Sequence, residues 1–510
     1  MEIWIADPNI TKGIATTHAV ENWVKHLPAH RLPPPGEGQI HGLKSYCNSP
    51  KQFCESYFSS SGPCTFWNSE IDVLLSTSLR ISDFDFFYPE FWRSVPIAHF
   101  MHCTVFMWKE FIQDRMCQVY QELADFIMAT KIVVSSESHK QTILTEYKNL
   151  VSQEVLEEIE KKLEVRYYLI DYPTRLKTKF NYLKVPTQPT VLGISKFELN
   201  DSSLECMETI TPDIVCESKQ TDIPVFLWSQ RLSSDKDPGK FCKLLKSLDA
   251  SGVDFRLYIT TGFSYNLKSY LKKYFSELWH KVGYVAVKPS DEIYSSILHS
   301  SDIWPSTAKV ETFGISFMES MHCGVLPILP NTLCYPEMIP EEYHENFIYD
   351  HTDFQDFEKK TLNLITNRDK IQKKFDRSYL KKYSVPVVRD SWLDVLAKTR
   401  REFYSKERMQ SSKTVQKVVN MIKENGRASK REIFEFLGWN KFDHWGYYRY
   451  QLSKHGFNLI PRGEEIYYQT PNYIETVVEV PKPVVKEEPK KEDSGIVTLF
   501  PRRRKFSFGP

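Results

Sequence analysis

The chain has no apolar run approaching the ~18 residues of a membrane-spanning helix, which excludes a helical integral membrane protein. It has almost no net charge, +1 from 66 basic and 65 acidic residues, so any attraction to nucleic acid must be read from local clusters. Its opening, Met1-Glu-Ile-Trp-Ile-Ala-Asp7, lacks the basic stretch leading into an apolar one that marks a secretory signal. Ten cysteines fall without a repeated spacing, which excludes a disulfide framework and predicts reduced, mostly buried thiols in a cytoplasmic protein. What is present is a chain of 510 residues, 41% hydrophobic and 14% aromatic, long enough for two or three domains that each bury a core.

The organisation follows from the alternation of apolar runs. Ile3-Trp-Ile reads as a first strand, and a Gly13-containing turn leads into a helix from Thr16 to Val24. Further runs at Val73-Leu-Leu, Val95-Pro-Ile-Ala and Lys131-Ile-Val-Val134 are separated by helix-like segments, the pattern of a parallel sheet with crossovers. We therefore expect a Rossmann-like first domain over 1–190, to which a helix at about 386–405 returns. A polar stretch over 191–221 reads as a linker or insertion. The alternation restarts at Ile223-Pro-Val-Phe-Leu-Trp228 and continues through Phe255–Ile259, Val282–Val285, Asp302–Trp304 and Val325–Leu329, giving a second Rossmann-like domain over 222–385. Two such domains face a cleft at the carboxyl ends of their strands, where a ligand is expected.

Beyond about Phe403 the pattern changes. Helical segments at Thr414–Lys423, Lys430–Leu437 and Trp445–Lys454, then two short strands flanking Pro461-Arg-Gly-Glu, describe a winged helix-turn-helix over 411–470. Residues 471–510 read as a disordered tether rich in Pro, Val, Lys and Glu, ending in a basic tail.

The chemistry concentrates in Glu311-Thr-Phe-Gly-Ile-Ser-Phe-Met-Glu319, followed by Cys323-Gly-Val-Leu-Pro327. Glu311 sits before a helix and Glu319 more than two turns along it, while Gly314 at the helix start lets backbone N–H groups approach a phosphate. On any amphipathic helix such a pair of glutamates is more often a solvated face, but Phe317, Met318 and Met321 argue for a buried helix, where a carboxylate needs a partner. Arg231 and Lys236 follow the strand ending at Trp228 and project from its carboxyl end; a guanidinium fork and an ammonium suit a leaving diphosphate.

These residues resemble a family. Arg231-x4-Lys236 and Glu311-x7-Glu319 are similar to the signature of the retaining GT-B glycosyltransferases of the group 1 family. Trp228–Pro238, Thr312-Phe-Gly-Ile, Cys323–Pro327 and Leu333–Tyr343 look like the tRNA-queuosine mannosyltransferases within it. The resemblance covers about 1–405 in architecture and is motif-specific from 226 to 345. It implies an α/β chain of GT-B fold, the two Rossmann-like domains facing a cleft, with the small winged helix added. It implies that Arg231 and Lys236 hold the diphosphate, Glu311 the sugar hydroxyls and Glu319 the ribose, with backbone donors from Phe313, Gly314 and Ile315. Catalysis then needs no cofactor and no metal, only a nucleotide-diphosphate sugar and a front-face displacement in which the leaving phosphate helps deprotonate the acceptor.

The first domain matches less well: Gly13 alone marks its first loop, with His18 nearby, and both His99 and His102 are candidates for the cleft histidine, His102 being favoured. A buried structural role is the alternative for either, and His99-x2-His102-Cys103 without a companion cysteine pair is not read as a zinc site. Backbone near Gly283 and Tyr284 is expected to read the donor base. In the winged helix, Lys430, Arg431, Lys441, Tyr447, Arg449, Lys454 and Arg462 are the expected nucleic-acid contacts, protein docking being the alternative. Val497-Thr-Leu-Phe500 beyond the tether looks like a peptide for a replication sliding clamp, and Arg502-Arg-Arg-Lys505 adds phosphate contacts or is a solvated tail. Together these point to transfer of a hexose or pentose onto a modified base, first a 5-hydroxymethylpyrimidine in phage or viral DNA, alternatively queuosine in tRNA. A polysaccharide or lipid acceptor leaves the winged helix unexplained. A non-catalytic nucleic-acid-binding regulator is disfavoured because all four charged signature positions are intact.

Overall fold

A computed structural model describes residues 1, 3–6, 15–31, 71–77, 95–107, 116–172, 176, 182–184, 186, 189–192, 215–216, 222–261, 267–287, 289–406, 412–437, 452, 455, 457–462 and 465–470. Among the described residues of the first domain six strands run parallel: β1 (Ile3–Ala6), β2 (Ala29–Arg31), β3 (Val73–Thr77), β4 (Ile97–Phe100), β5 (Lys131–Val134) and β6 (Leu163–Val165). Their order is β2-β1-β3-β4-β5-β6. Helices α1 (Ala15–His26), α2 (Met116–Met128), α3 (Glu137–Tyr147) and α4 (Gln153–Lys162) connect them. Every residue of β3, β4 and β5 is buried, as expected of a parallel sheet covered on both faces.

Next come β7 (Tyr182–Leu183), β8 (Thr190–Leu192) and β9 (Val215–Cys216), of which β7 and β9 pair antiparallel. The second domain then supplies β10 (Val225–Trp228), α5 (Pro238–Ala250), β11 (Arg256–Thr261), α6 (Leu267–Phe275), β12 (Val282–Val287), α7 (Asp291–His299) and β13 (Ile303–Pro305). It continues with α8 (Ile315–His322), β14 (Leu326–Pro330), α9 (Tyr335–Met338), α10 (His344–Phe347), β15 (Ile348–Tyr349), α11 (Phe354–Thr366) and α12 (Arg368–Lys374). Its parallel sheet has the order β15-β14-β13-β10-β11-β12-β8. The sequence placed the start of this domain at 222 and a linker over 191–221. Instead Thr190–Leu192 is an edge strand paired with β12, because an unpaired strand edge recruits a short β-branched segment whose own pattern is too brief to read.

The returning helix α13 (Val385–Lys406) lies against the first sheet. The Trp392 ring lies 4.9 Å from that of Trp23 and 5.6 Å from that of Phe100, and its Nε1 donates to the Tyr167 carbonyl at 2.8 Å. Burying one indole is worth about 4–6 kcal/mol before entropy costs, so this ring fixes the end of the second domain's chain to the first domain. Arg400 adds an ion pair to Asp72 at 2.8 Å.

The C-terminal unit comprises α14 (Ser412–Asn425), β16 (Arg427–Ser429), α15 (Lys430–Leu437), β17 (Asn458–Arg462) and β18 (Glu465–Gln469), its strands antiparallel in the order β16-β18-β17. Val419, Ile422, Ile433, Leu452 and Tyr468 form a small core that also takes in Tyr404 of α13. A reciprocal cap starts α15: Ser429 Oγ accepts from Glu432 N at 3.2 Å, and the Glu432 carboxylate accepts from Ser429 N at 2.6 Å. The expected hairpin is present, with Arg462 opposite Glu465. The expected third helix, 445–454, lies outside the described residues apart from Leu452. Among the described residues no helix is long and apolar enough to cross a membrane.

Candidate active site

The site is built where β10 and β13 end. Beyond Trp228 the chain makes a 3-10 turn, Ser234–Lys236, and Asp237 takes a left-handed conformation (φ 45°) to cap α5, its carboxylate accepting from Lys240 N at 3.2 Å. That turn buries Asp235 and Lys236. The Asp235 carbonyl accepts from Lys309 N at 2.8 Å, and Thr307 Oγ1 donates to the Lys236 and Asp237 carbonyls at 2.9 and 2.8 Å, locking the two strand-end loops together. Arg231 Nη2 donates to Asp235 Oδ2 at 2.8 Å with the Arg231 side chain 48% exposed, so its guanidinium is oriented by a buried carboxylate yet accessible. Lys236 Nζ donates to the Val310 carbonyl at 2.5 Å and to Glu311 Oε2 at 3.1 Å.

Glu311 is held from its other side. Its Oε1 accepts from the N–H groups of Thr312 and Gly314, each at 3.0 Å, and of Phe313 at 3.4 Å. Burial pushes this carboxyl up, but the Lys236 ammonium and the backbone N–H groups outweigh it and hold it below the usual carboxylate range. A carboxylate with both oxygens so engaged is a poor nucleophile and a poor base; it orients Lys236. The cradle depends on Gly314, which caps α8 at φ 78° and ψ 63°; an added Cβ would lie 3.3 Å from Phe317 Cβ.

From the first domain, His102 follows β4 and its Nδ1 bonds to the Tyr168 hydroxyl. Burial lowers the His102 imidazole to about 4, with Glu311 opposing and Lys236 and Arg231 reinforcing, so these three groups act on it across the cleft. His99 lies within β4, opposite Ser76 and Ile132, and is lowered to about 4 by burial alone. Of the two histidines, His102 is the one beside the site. Two further contacts join the domains here: Ser135 Oγ donates to the Thr312 carbonyl at 3.2 Å, and the Glu337 carboxylate accepts from Glu137 N at 2.9 Å and Ser138 N at 3.4 Å.

Arg231, Lys236 and Glu311 are thus brought together through Asp235 and the Lys236 ammonium, while His102, bonded to Tyr168, feels the charges of all three. Glu319 is 3% exposed and accepts from the Tyr294 hydroxyl at 2.6 Å. Phe313 is buried against Tyr168 and Tyr383, with ring centroids at 5.3 and 5.9 Å, so it packs the domain junction and offers only its backbone. Ile315 is the first, partly buried residue of α8. Gly283 and Tyr284, expected near the donor base, lie at the amino end of β12, where the Tyr284 hydroxyl donates to the Lys184 carbonyl at 2.7 Å and a Cβ at Gly283 would lie 2.6 Å from the Tyr258 ring. Ligands of parallel sheets sit at the opposite, carboxyl end, here Val287, and the run Val282–Val287 gave no sign of where the strand stops. Gly13 lies outside the described residues.

Sequence reasoning missed Asp235, although it stands four residues after Arg231 and next to Lys236. It also missed Tyr168 and Ser135, whose sequence surroundings carry no signal, and Glu337, which lies inside the family-like segment Leu333–Tyr343 but was not singled out. In the C-terminal unit Arg431 Nε donates to Glu435 Oε1 at 2.9 Å on an exposed face, and Lys430 lies 6.0 Å from the centre of the Phe434 ring. Arg462 ends β17. Lys441, Tyr447, Arg449 and Lys454 lie outside the described residues.

Residues 214–381 match the family model described as glycosyl transferases group 1. A tRNA-queuosine alpha-mannosyltransferase of Drosophila melanogaster is 26% identical over 243 residues, which are 45% of this chain and 55% of that protein; the match spans about half the length of that relative. A glycosyltransferase of Rickettsia africae superposes with a TM-score of 0.50 at 15% identity, over 78% of this chain and 98% of that one. Anabaena HepE in complex with UDP-glucose superposes with a TM-score of 0.50 at 11% identity, over 78% of this chain and all of that one. With two parallel α/β sheets and a paired cation–carboxylate site at the strand ends of the second, the chain has the GT-B fold, and the stretch 214–381 within it matches the group 1 glycosyl transferases.

Proposed function

We propose that this chain transfers a sugar, with retention of configuration, from a nucleotide-diphosphate sugar to a hydroxyl of a modified base in nucleic acid. The observation that carries the reading is the convergence of Arg231 and Lys236, each oriented by a buried or part-buried carboxylate, at the carboxyl ends of β10 and β13. Fixed cations there stabilise the charge that develops as a diphosphate leaves, without reorganising during the step. In that step the acceptor oxygen bonds to the anomeric carbon as the bond to the diphosphate breaks, and the acceptor proton passes to the departing phosphate. Glu311, tied to Lys236 and three amides, serves to orient; His102, neutral at physiological pH, offers a hydrogen bond to a sugar hydroxyl without adding charge. Donors with uracil as base accord with the UDP-glucose complex of Anabaena HepE.

The acceptor reading rests on the C-terminal unit, with its α15 cations and hairpin, and on the basic run Arg502-Arg-Arg-Lys505. We take the polymer to be DNA bearing a 5-hydroxymethylpyrimidine, approached through a winged helix and retained by the clamp-like tail peptide. A second reading, queuosine in tRNA, is favoured by the 26% identity to the Drosophila enzyme. Purified protein incubated with labelled UDP- and GDP-sugars and either hydroxymethylated DNA or total tRNA decides between them: label in tRNA alone removes the DNA reading, and label in neither removes transfer to nucleic acid.

A further inference from the structure

Helix α3 has two unlike faces. His139, Ile143 and Tyr147, four residues apart, are buried against the first sheet. Ser138, Gln141, Thr142 and Thr145, spaced i, i+3, i+4 and i+7, form one stripe on another face and border a cavity of about 540 Å³, with Val310 and Leu333 of the second domain also among its walls. Of these neutral hydrogen-bonding groups Gln141 and Thr145 are exposed; the Gln141 amide donates to Glu137 Oε1 and the Thr142 hydroxyl to the Ser138 carbonyl, each at 2.9 Å, so a ligand meets Gln141 through its side-chain oxygen and Thr145 through its hydroxyl. The cavity adjoins the transfer site, because the Val310 carbonyl accepts from Lys236 Nζ and Asp235, which holds Arg231, also lines it. The Ser135 and Glu337 contacts across the cleft hold α3 and the second domain together beside it.

The lining decides the ligand class. A phosphate needs several cations or free N–H groups, but here Glu146 and Asp235 offset Lys309, and Lys309 is drawn 3.5 Å from Asp237. Phe106 and Met107 add an apolar floor. The volume suits one small molecule, so a base reaches it only when taken out of its stack.

We infer that this cavity is the acceptor pocket and that it takes a single uncharged, hydroxyl-bearing ring of about nucleoside size, gripped by the polar stripe of α3. The inference rests on the glycosyl-transfer reading above and deepens it. In the full chain, Gln141→Leu and Thr145→Val remove hydrogen-bonding groups while keeping volume. Steady-state transfer from the labelled nucleotide sugar to whichever polymer the wild type labels should show the acceptor KM raised about 5- to 10-fold per lost hydrogen bond. Turnover should stay within about threefold, and the dissociation constant for UDP or GDP should not move, since those residues lie apart from the donor cations. Nucleosides released from the same polymer should compete with it, and inorganic phosphate should not. An unchanged acceptor KM, or competition by phosphate and not by nucleosides, overturns the pocket while leaving glycosyl transfer standing. A wild-type protein that binds UDP or GDP yet labels neither polymer removes the transfer reading and this inference with it.

Discussion

The Lys236 ammonium lies 3.1 Å from Glu311 Oε2 and 2.5 Å from the Val310 carbonyl, joining two strand-end loops that are 75 residues apart in sequence. Because Glu311 is only 20% exposed, Lys236→Met should cost about 2–4 kcal/mol in denaturant unfolding, most of it the penalty of an uncompensated carboxylate. Adding Glu311→Gln should restore much of that stability but none of the transfer, which falls about 10²- to 10³-fold in each variant. Stability lost in Lys236→Met and not recovered in the double variant would place the cost in packing rather than charge.

Arg231 separates function from folding. Its pair with Asp235 is half-exposed on the arginine side, and the buried Asp235 keeps the Lys236 ammonium at 3.7 Å, so losing the guanidinium costs about 1 kcal/mol or less. Arg231→Gln should therefore unfold within about 1 kcal/mol of the wild type while transferring at least about 100-fold more slowly. Near-wild-type transfer would remove Arg231 from the chemistry.

Gly314 ties backbone conformation to the Glu311 cradle. At φ 78° a side chain costs about 1–2 kcal/mol, and the new Cβ meets Phe317 Cβ at 3.3 Å. Gly314→Ala should lower stability by about that amount and weaken nucleotide-sugar binding, measured by calorimetry. Unaltered binding would mean that the cradle tolerates a shift at its glycine.

Buried titrating groups in the first domain act in opposite directions. Glu122 accepts from Thr104 Oγ1 at 2.6 Å, Val105 N at 3.0 Å and the Tyr147 hydroxyl at 3.0 Å, yet burial outweighs these bonds and raises it to about 7. The folded state thus binds this proton more tightly than the unfolded one, so stability falls as pH rises from about 4.5 through 7. His99 and His102 are lowered to about 4 and His139 to about 3 by burial, so their contribution is present above about 6.5 and lost as pH falls through 4. Glu122→Gln should abolish the decline in melting temperature between pH 6 and 8 and leave the acid limb intact. A wild-type melting temperature flat across pH 6 to 8 would contradict the raised carboxyl.

Removing residues after 411 should preserve nucleotide binding, because the site lies wholly within 102–337, and weaken retention on DNA and tRNA. The wild type should also lose that retention steeply with added salt. Equal binding by the shortened chain in a filter assay would assign the C-terminal unit to protein docking.

The fold was legible wherever local pattern and tertiary role agree. Val73–Leu75, Lys131–Val134 and Val225–Trp228 are apolar runs that became fully buried parallel strands, and Arg231, Lys236 and Glu311 stood at strand ends where charge has a purpose. Thr190–Leu192 was not legible, since its strand character comes from the edge of β12. Tyr168 and Glu337 were hidden for a similar reason: Tyr168 meets His102 from 66 residues away and Glu337 meets the start of α3 from the other domain, contacts that no spacing within one segment encodes. At Gly283 the structure shows a packing reason for glycine that the sequence did not reveal, since a Cβ there would meet the Tyr258 ring at 2.6 Å.

The most direct test is transfer of label from a nucleotide-diphosphate sugar by wild-type protein and by Arg231→Gln, with hydroxymethylated DNA and total tRNA offered separately. The account predicts label on a base of one polymer by the wild type and about 100-fold less by the variant. Label on neither polymer, or equal labelling by the variant, would contradict it.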